Sequence, residues 1–162
     1  IFGTKMRSVI NAANPVGIAA NAAQQFEIGH QILGHGLMPI LEPEININIS
    51  DKDEAEGMLL AELTKGLDTL AGDQQVMLKL SIPTTVNRYK SLIDDPRVMR
   101  VVALSGGYNR DDANALLAKN DGMIASFSRA LAEGLSDGLS DDQFNATLAG
   151  SIDSSYAASA SK

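Results

Sequence analysis

Val76-Met77-Leu78-Lys79-Leu80-Ser81-Ile82-Pro83 decides the fold class. The run from Val76 to Ile82 is apolar except at Lys79 and Ser81, and it is bounded by Gly72-Asp73 before and Pro83 after. A run that short and that apolar predicts a strand buried on both faces, the kind that parallel sheets contain. Upstream, Asp51 and Glu54 have the spacing of a capping box, and Ala55, Leu59, Leu63, Leu67 and Leu70 form an apolar stripe at helical period. Further back, Asn14-Pro15 offers an N-cap followed by proline at the first helical position, and Ile18, Ala22, Phe26 and Leu33 continue at helical spacing until Gly34 and Gly36. Strands are expected over Ile1–Val9 and from Met38 through Glu44.

Downstream the same alternation holds. Tyr89, Leu92 and Ile93 form a short helix ending at Asp95-Pro96, Val98–Leu104 a strand, Asp111–Lys119 a helix, Met123–Phe127 a fifth strand, and Asp141–Ala158 a last helix. Strand followed by helix, repeated five times with short connections, predicts a parallel sheet covered by helices. Two closures satisfy that pattern. A doubly wound open sheet is complete at this size, whereas an eight-stranded barrel needs about 250 residues, and periodicity does not choose between them.

Composition narrows the function classes. The 162 residues are 44% hydrophobic and 20% charged, which excludes disorder. No apolar run reaches the roughly 18 residues of a membrane span, and no secretory leader pattern precedes the first strand, so the chain reads as soluble and cytoplasmic, without a membrane partner. It begins Ile1-Phe2-Gly3 without methionine and reads as a fragment. The absence of cysteine removes disulfides, thiolate zinc sites and cysteine nucleophiles. Thirteen Lys and Arg against twenty Asp and Glu leave a net charge of -7, which repels a nucleic-acid backbone and argues against general DNA or RNA binding.

Against that acidic background, Lys5, Arg7, Glu42, Glu44, Lys79, Ser105, Gly106, Gly107 and Arg129 all fall at or near the C-terminal ends of expected strands, the face on which parallel α/β folds build their sites. Four cations on one rim attract an anion locally. Lys79 either pairs with a neighbouring carboxylate or, because burial disfavours the ammonium, acts as an amine nucleophile toward carbonyls. Glu42 and Glu44 flank Pro43, either as an acid/base pair or as a solvated strand terminus. Ser105-Gly106-Gly107 before a helix is either a plain turn or a phosphate loop with a helix dipole behind it. Arg129 is either a surface arginine or a bidentate phosphate ligand. His30 and His35 lie away from the rim and read as surface or packing residues, and Met38, Met58 and Met77 as core.

Five segments carry a resemblance: Phe2-Gly3-Thr4-Lys5-Met6-Arg7, Pro39-Ile40-Leu41-Glu42-Pro43-Glu44, Met77-Leu78-Lys79-Leu80, Leu104-Ser105-Gly106-Gly107 and Ser126-Phe127-Ser128-Arg129-Ala130-Leu131. Their order and spacing resemble class I fructose-bisphosphate aldolases of the bacterial type, over nearly the whole chain. The resemblance implies a (β/α)8 TIM barrel of which residues 1–162 are the C-terminal part, supplying strands four to eight, with the N-terminal units absent. It implies that Lys79 forms the Schiff base, that Lys5 and Arg7 are the charged pair of the fourth strand and Glu42 and Glu44 the proton-transfer pair of the fifth. It also implies that Ser105, Gly106 and Arg129 grip the ketone-side phosphate, supported by Ser126 and Gly107. No cofactor is expected beyond the covalent imine on Lys79, and no metal. The expected partners are a sugar-phosphate substrate, the missing N-terminal part of the barrel, and further copies of the chain associating through open sheet edges. The family also uses an Asp from the first strand and a Lys from the third, neither present here, so the isolated piece is expected to be impaired. The animal enzymes end in a functional Tyr, and that role is not carried onto Tyr156. The competing expectations are another Schiff-base barrel acting on sugar phosphates, such as a transaldolase, and a phosphate-binding piece without turnover.

Overall fold

Asn14 starts the first helix as its sequence suggests: its side chain accepts the Gly17 N–H and Pro15 occupies the first turn. The computed structural model describes residues 1–160. Its elements run β1 Gly3–Ile10, α1 Pro15–Gly34, β2 Met38–Ile45, α2 Lys52–Leu67, β3 Val76–Ser81, α3 Lys90–Ile93, β4 Val98–Leu104, α4 Arg110–Leu117, β5 Ile124–Ala125 and α5 Asp141–Ala160. No helix among the described residues is long and apolar enough to cross a membrane.

All five strands are parallel and lie in the order β1-β2-β3-β4-β5. A doubly wound sheet reverses its strand order at a switch point, and this one does not. The helices also share one side. Phe26 of α1, Leu59 and Leu63 of α2, Leu117 of α4 and Ala158 of α5 join Leu41, Leu78 and Ala103 of the strands in a single core. Sequential parallel strands with every helix on one face make an arc of a (β/α)8 barrel, which settles the closure that periodicity left open.

Three local expectations are corrected. The β3 strand is two-faced: Val76, Leu78 and Leu80 are wholly buried under the helices, while Met77 and Lys79 are half-buried on the opposite face. Asp51 makes no capping box, because its carboxylate accepts the Ala13 N–H at 2.7 Å and so ties the start of α2 to the β1–α1 loop. The fifth strand pairs only over Ile124–Ala125, with one further bond from the Ser126 N–H to the Ala103 carbonyl, before the chain turns across the rim.

Tyr89 packs wholly inside this core, and its hydroxyl has no hydrogen-bond partner among the described residues. Burial first, and the charge of Glu56 second, push its pKa above the ordinary value of 10.0. The folded state therefore keeps the phenol neutral while the unfolded chain ionises. The stability it contributes is intact below pH 10 and declines above that by about 1.4 kcal/mol per pH unit. Urea unfolding between pH 9 and pH 11.5 checks this: Tyr89→Phe is expected to remove one proton's share of the alkaline decline, and an unchanged slope would contradict it.

Candidate active site

The β1–β2 register sets Lys5 beside Ile40, Arg7 beside Glu42 and Val9 beside Glu44, all on the sheet face away from the helices. Long basic side chains lean one step along the strand, so each reaches the next carboxylate. The Lys5 ammonium lies 2.7 Å from Glu42 Oε2 and the Arg7 Nε–H donates to Glu44 Oε2 at 2.7 Å. From the other side, Lys79 Nζ stands 3.5 Å from Glu42 Oε1. Glu42 is thus a buried carboxylate, 4% exposed, held between two ammonium groups. The hydrogen bond to Glu44, and then its charge, raise the pKa of Arg7 further, so that it stays cationic at any working pH.

A cavity of about 380 Å³ opens over this pair. Arg7, Glu42, Glu44, Lys79, Ser105, Gly106, Ser126 and Arg129 line it, joined by Leu104 and Ser128. These are residues that the sequence singled out, brought together from β1, β2 and β3 and from the turns after β4 and β5. Lys5 is not in the wall and reaches the site through Glu42. Gly107 lies outside it, lining a neighbouring cavity with Tyr108, Asn109, Arg129, Ala130 and Glu133. Ser128, part of the last of the five segments but given no role there, joins the wall; it sits two residues from Ser126, the spacing that repeats a face in extended chain.

The turn after β4 needs glycine. Gly106 has φ +61°, and a Cβ there would stand 2.8 Å from Ile47 Cγ2. Gly106→Ala is expected to lower stability by about 1–2 kcal/mol, read by thermal melting, and to reshape the Ser105 side of the cavity. The helix behind this turn is not free to hold an anion. The Arg110 N–H donates to Glu133 Oε2 at 2.8 Å and the Asp112 N–H to Asn109 Oδ1 at 2.8 Å, so the start of α4 is filled by the protein's own side chains. The cations and hydroxyls that the cavity presents are those of Arg129, Arg7 and Lys79 and of Ser105, Ser126 and Ser128.

A structure of a fructose-bisphosphate aldolase from Plasmodium falciparum, solved in complex with TRAP and a small-molecule inhibitor, superposes on 99% of the chain with a TM-score of 0.78 at 16% identity. The fold matches part of that protein's (β/α)8 barrel. The chain spans 57% of the length of that structure. No family model matches the sequence.

With the barrel in place, the charges sort by position. Lys5, Glu42 and Lys79 lie within β1, β2 and β3, and Ser105, Ser126, Ser128 and Arg129 lie in the segments that follow β4 and β5. Among the described residues no three His, Asp or Glu side chains converge as a metal-ion site. A second buried ion pair lies outside the cavity and went unnoticed in the sequence: Lys52 and Glu56 of α2, joined by Thr84 and Arg88 from the segment after β3.

Proposed function

We propose that the chain is the C-terminal part of a class I fructose-bisphosphate aldolase, a cytoplasmic lyase of glycolysis and gluconeogenesis that splits fructose 1,6-bisphosphate into dihydroxyacetone phosphate and glyceraldehyde 3-phosphate. The observation that carries this reading is Lys79 beside the buried Glu42 carboxylate in the wall of a cavity that Arg129 also lines. Phosphate chemistry and carbonyl chemistry thereby meet at one place.

In this reading the Lys79 ammonium gives its proton to Glu42 and the free amine adds to carbon 2 of the open-chain ketose. Glu42 returns the proton to the carbinolamine hydroxyl, water leaves, and the iminium forms. The bond between carbons 3 and 4 then breaks, its electron pair moving to the iminium to give the enamine while the carbon 4 hydroxyl passes its proton to the Glu42 carboxylate. Glyceraldehyde 3-phosphate departs. Protonation of the enamine and hydrolysis release dihydroxyacetone phosphate and restore Lys79. Lys5 holds Glu42 in place through their ion pair. Arg7 anchors Glu44 as the second carboxylate, and Ser105, Gly106 and Arg129 take the ketone-side phosphate, supported by Ser126 and, from the neighbouring cavity that Arg129 also lines, by Gly107. The imine needs neither cofactor nor metal. By resemblance, further groups of the cleavage step come from an N-terminal part of the barrel, the chain's expected partner together with other copies of itself.

One observation favours a second reading. A Lys79 ammonium paired with Glu42 at 3.5 Å also suits a phosphate-binding piece without turnover. Titration with dihydroxyacetone phosphate and a coupled assay for fructose 1,6-bisphosphate cleavage separate the two. Binding with Lys79-dependent cleavage is the expected result, binding alone would favour the silent piece, and neither would contradict both.

A further inference from the structure

The β2–β3 ladder stops where the chemistry begins. Its register is Ile40 with Met77 and Leu41 with Leu78, and it goes no further, although β2 continues to Ile45 and β3 to Ser81. The cause lies in β2. The N–H groups of Met38 and Asn46 donate to Phe2 and Ile10 on the β1 side, so strand alternation turns the backbone of residues 39, 41, 43 and 45 toward β3. Two of those four are Pro39 and Pro43, which have no N–H to give. In the observed register the next rung would run from residue 43 to the Lys79 carbonyl, and Pro43 deletes it.

Beyond the gap a side chain replaces the ladder. The Ser81 hydroxyl accepts the Ile45 N–H at 3.0 Å and donates to the Ile45 carbonyl at 2.7 Å, both bonds buried. Ser81 is 2% exposed and lies outside the cavity wall. The strands are thus joined below by Leu41 and Leu78 and above by Ser81 and Ile45, and the gap between these two ties is where Glu42 and Lys79 face each other at 3.5 Å.

We propose that Ser81 is a positioning residue, its hydroxyl replacing the rung that Pro43 deletes and so setting the separation of Glu42 from Lys79. The inference rests on Lys79 as the imine-forming amine for its effect on reaction, and on geometry alone for its effect on Lys79. Because the tie touches neither Arg129 nor Ser105, its loss acts on the covalent step and spares phosphate binding.

The experiment compares the parent chain with Ser81→Ala, Ser81→Thr and Pro43→Ala. Two rates at Lys79 are followed by peptide mass spectrometry, below the unfolding temperature of each variant. One is borohydride trapping with dihydroxyacetone phosphate; the other is reductive methylation by formaldehyde and cyanoborohydride without substrate. Ser81→Ala is expected to slow trapping about tenfold or more while the half-saturating dihydroxyacetone phosphate stays within about twofold, since small displacements of reacting groups cost that much. It is also expected to change methylation of Lys79 by at least about threefold while Lys65 and Lys119 stay as in the parent, and Ser81→Thr keeps both rates near parental. Pro43→Ala, which supplies the missing donor without deleting a buried hydroxyl, is expected to change Lys79 methylation as well and serves if Ser81→Ala does not fold. Unchanged trapping and methylation in these variants would overturn the proposal and leave the imine reading standing. A parent chain that traps nothing, both alone and with complementary barrel units supplied, would contradict the imine reading instead, and methylation alone would then decide the role of Ser81.

Discussion

Glu56→Ala is expected to lower folding stability by about 3–5 kcal/mol, a large part of what a domain of this size possesses. Glu56 is fully buried on α2, where its carboxylate receives the Lys52 ammonium and the Thr84 N–H at 3.1 and 3.0 Å, with Arg88 Nε 3.5 Å away. Lys52, itself 7% exposed, also donates to the Ile82 carbonyl at 2.9 Å and to Thr84 Oγ1 at 3.0 Å. Removing the carboxylate strands a buried ammonium and a backbone donor together, and it frees the segment that leaves β3. Urea unfolding at pH 7 checks the loss. Asp53→Ala on the same helix, whose side chain is 55% exposed beside Arg88, is expected to cost only a small fraction of that. Similar effects from the two substitutions would contradict the buried-network account.

Lys79→Arg is expected to lower fructose 1,6-bisphosphate cleavage by at least about a thousandfold, because a guanidinium stays protonated and forms no imine, while it preserves the positive charge beside Glu42. Affinity for dihydroxyacetone phosphate is expected to change less than about threefold, since Arg129 and the rim hydroxyls are untouched. A coupled assay and a titration read the two quantities. Residual cleavage near the parental rate would mean that the chemistry does not pass through this amine.

The strand and helix alternation was legible because each element states its period locally. The stripe Leu59, Leu63 and Leu67 became a wholly buried helix face, and Asn14-Pro15 became a helix start. The rim was legible for a simpler reason: charges at the ends of apolar runs have few places to go, and Arg7, Glu42, Glu44, Lys79 and Arg129 do share one cavity. Closure was not legible, since a strand's sequence does not say which strand lies beside it; the sequential order of the sheet decided that. Asp51 looked like a cap because spacing cannot show that Ala13 claims its carboxylate across the loop. Lys52 and Glu56 carried a signal that passed unread. They fall seven residues before Leu59 and Leu63, on the buried stripe, so a helical projection puts a charge pair inside. That Gly107 lines the neighbouring cavity and not this one was not legible, because its φ of +116° is defined only by the folded turn. Pro43 and Ser81 acquire meaning only from the register, since neither reveals which neighbour its backbone faces.

The most direct test of the central claim is borohydride reduction with dihydroxyacetone phosphate, followed by mass spectrometry of the peptides. The account predicts a stable adduct on Lys79, absent from Lys5 and the other lysines and lost in Lys79→Arg. An unmodified Lys79, both in the chain alone and with complementary barrel units supplied, would contradict it.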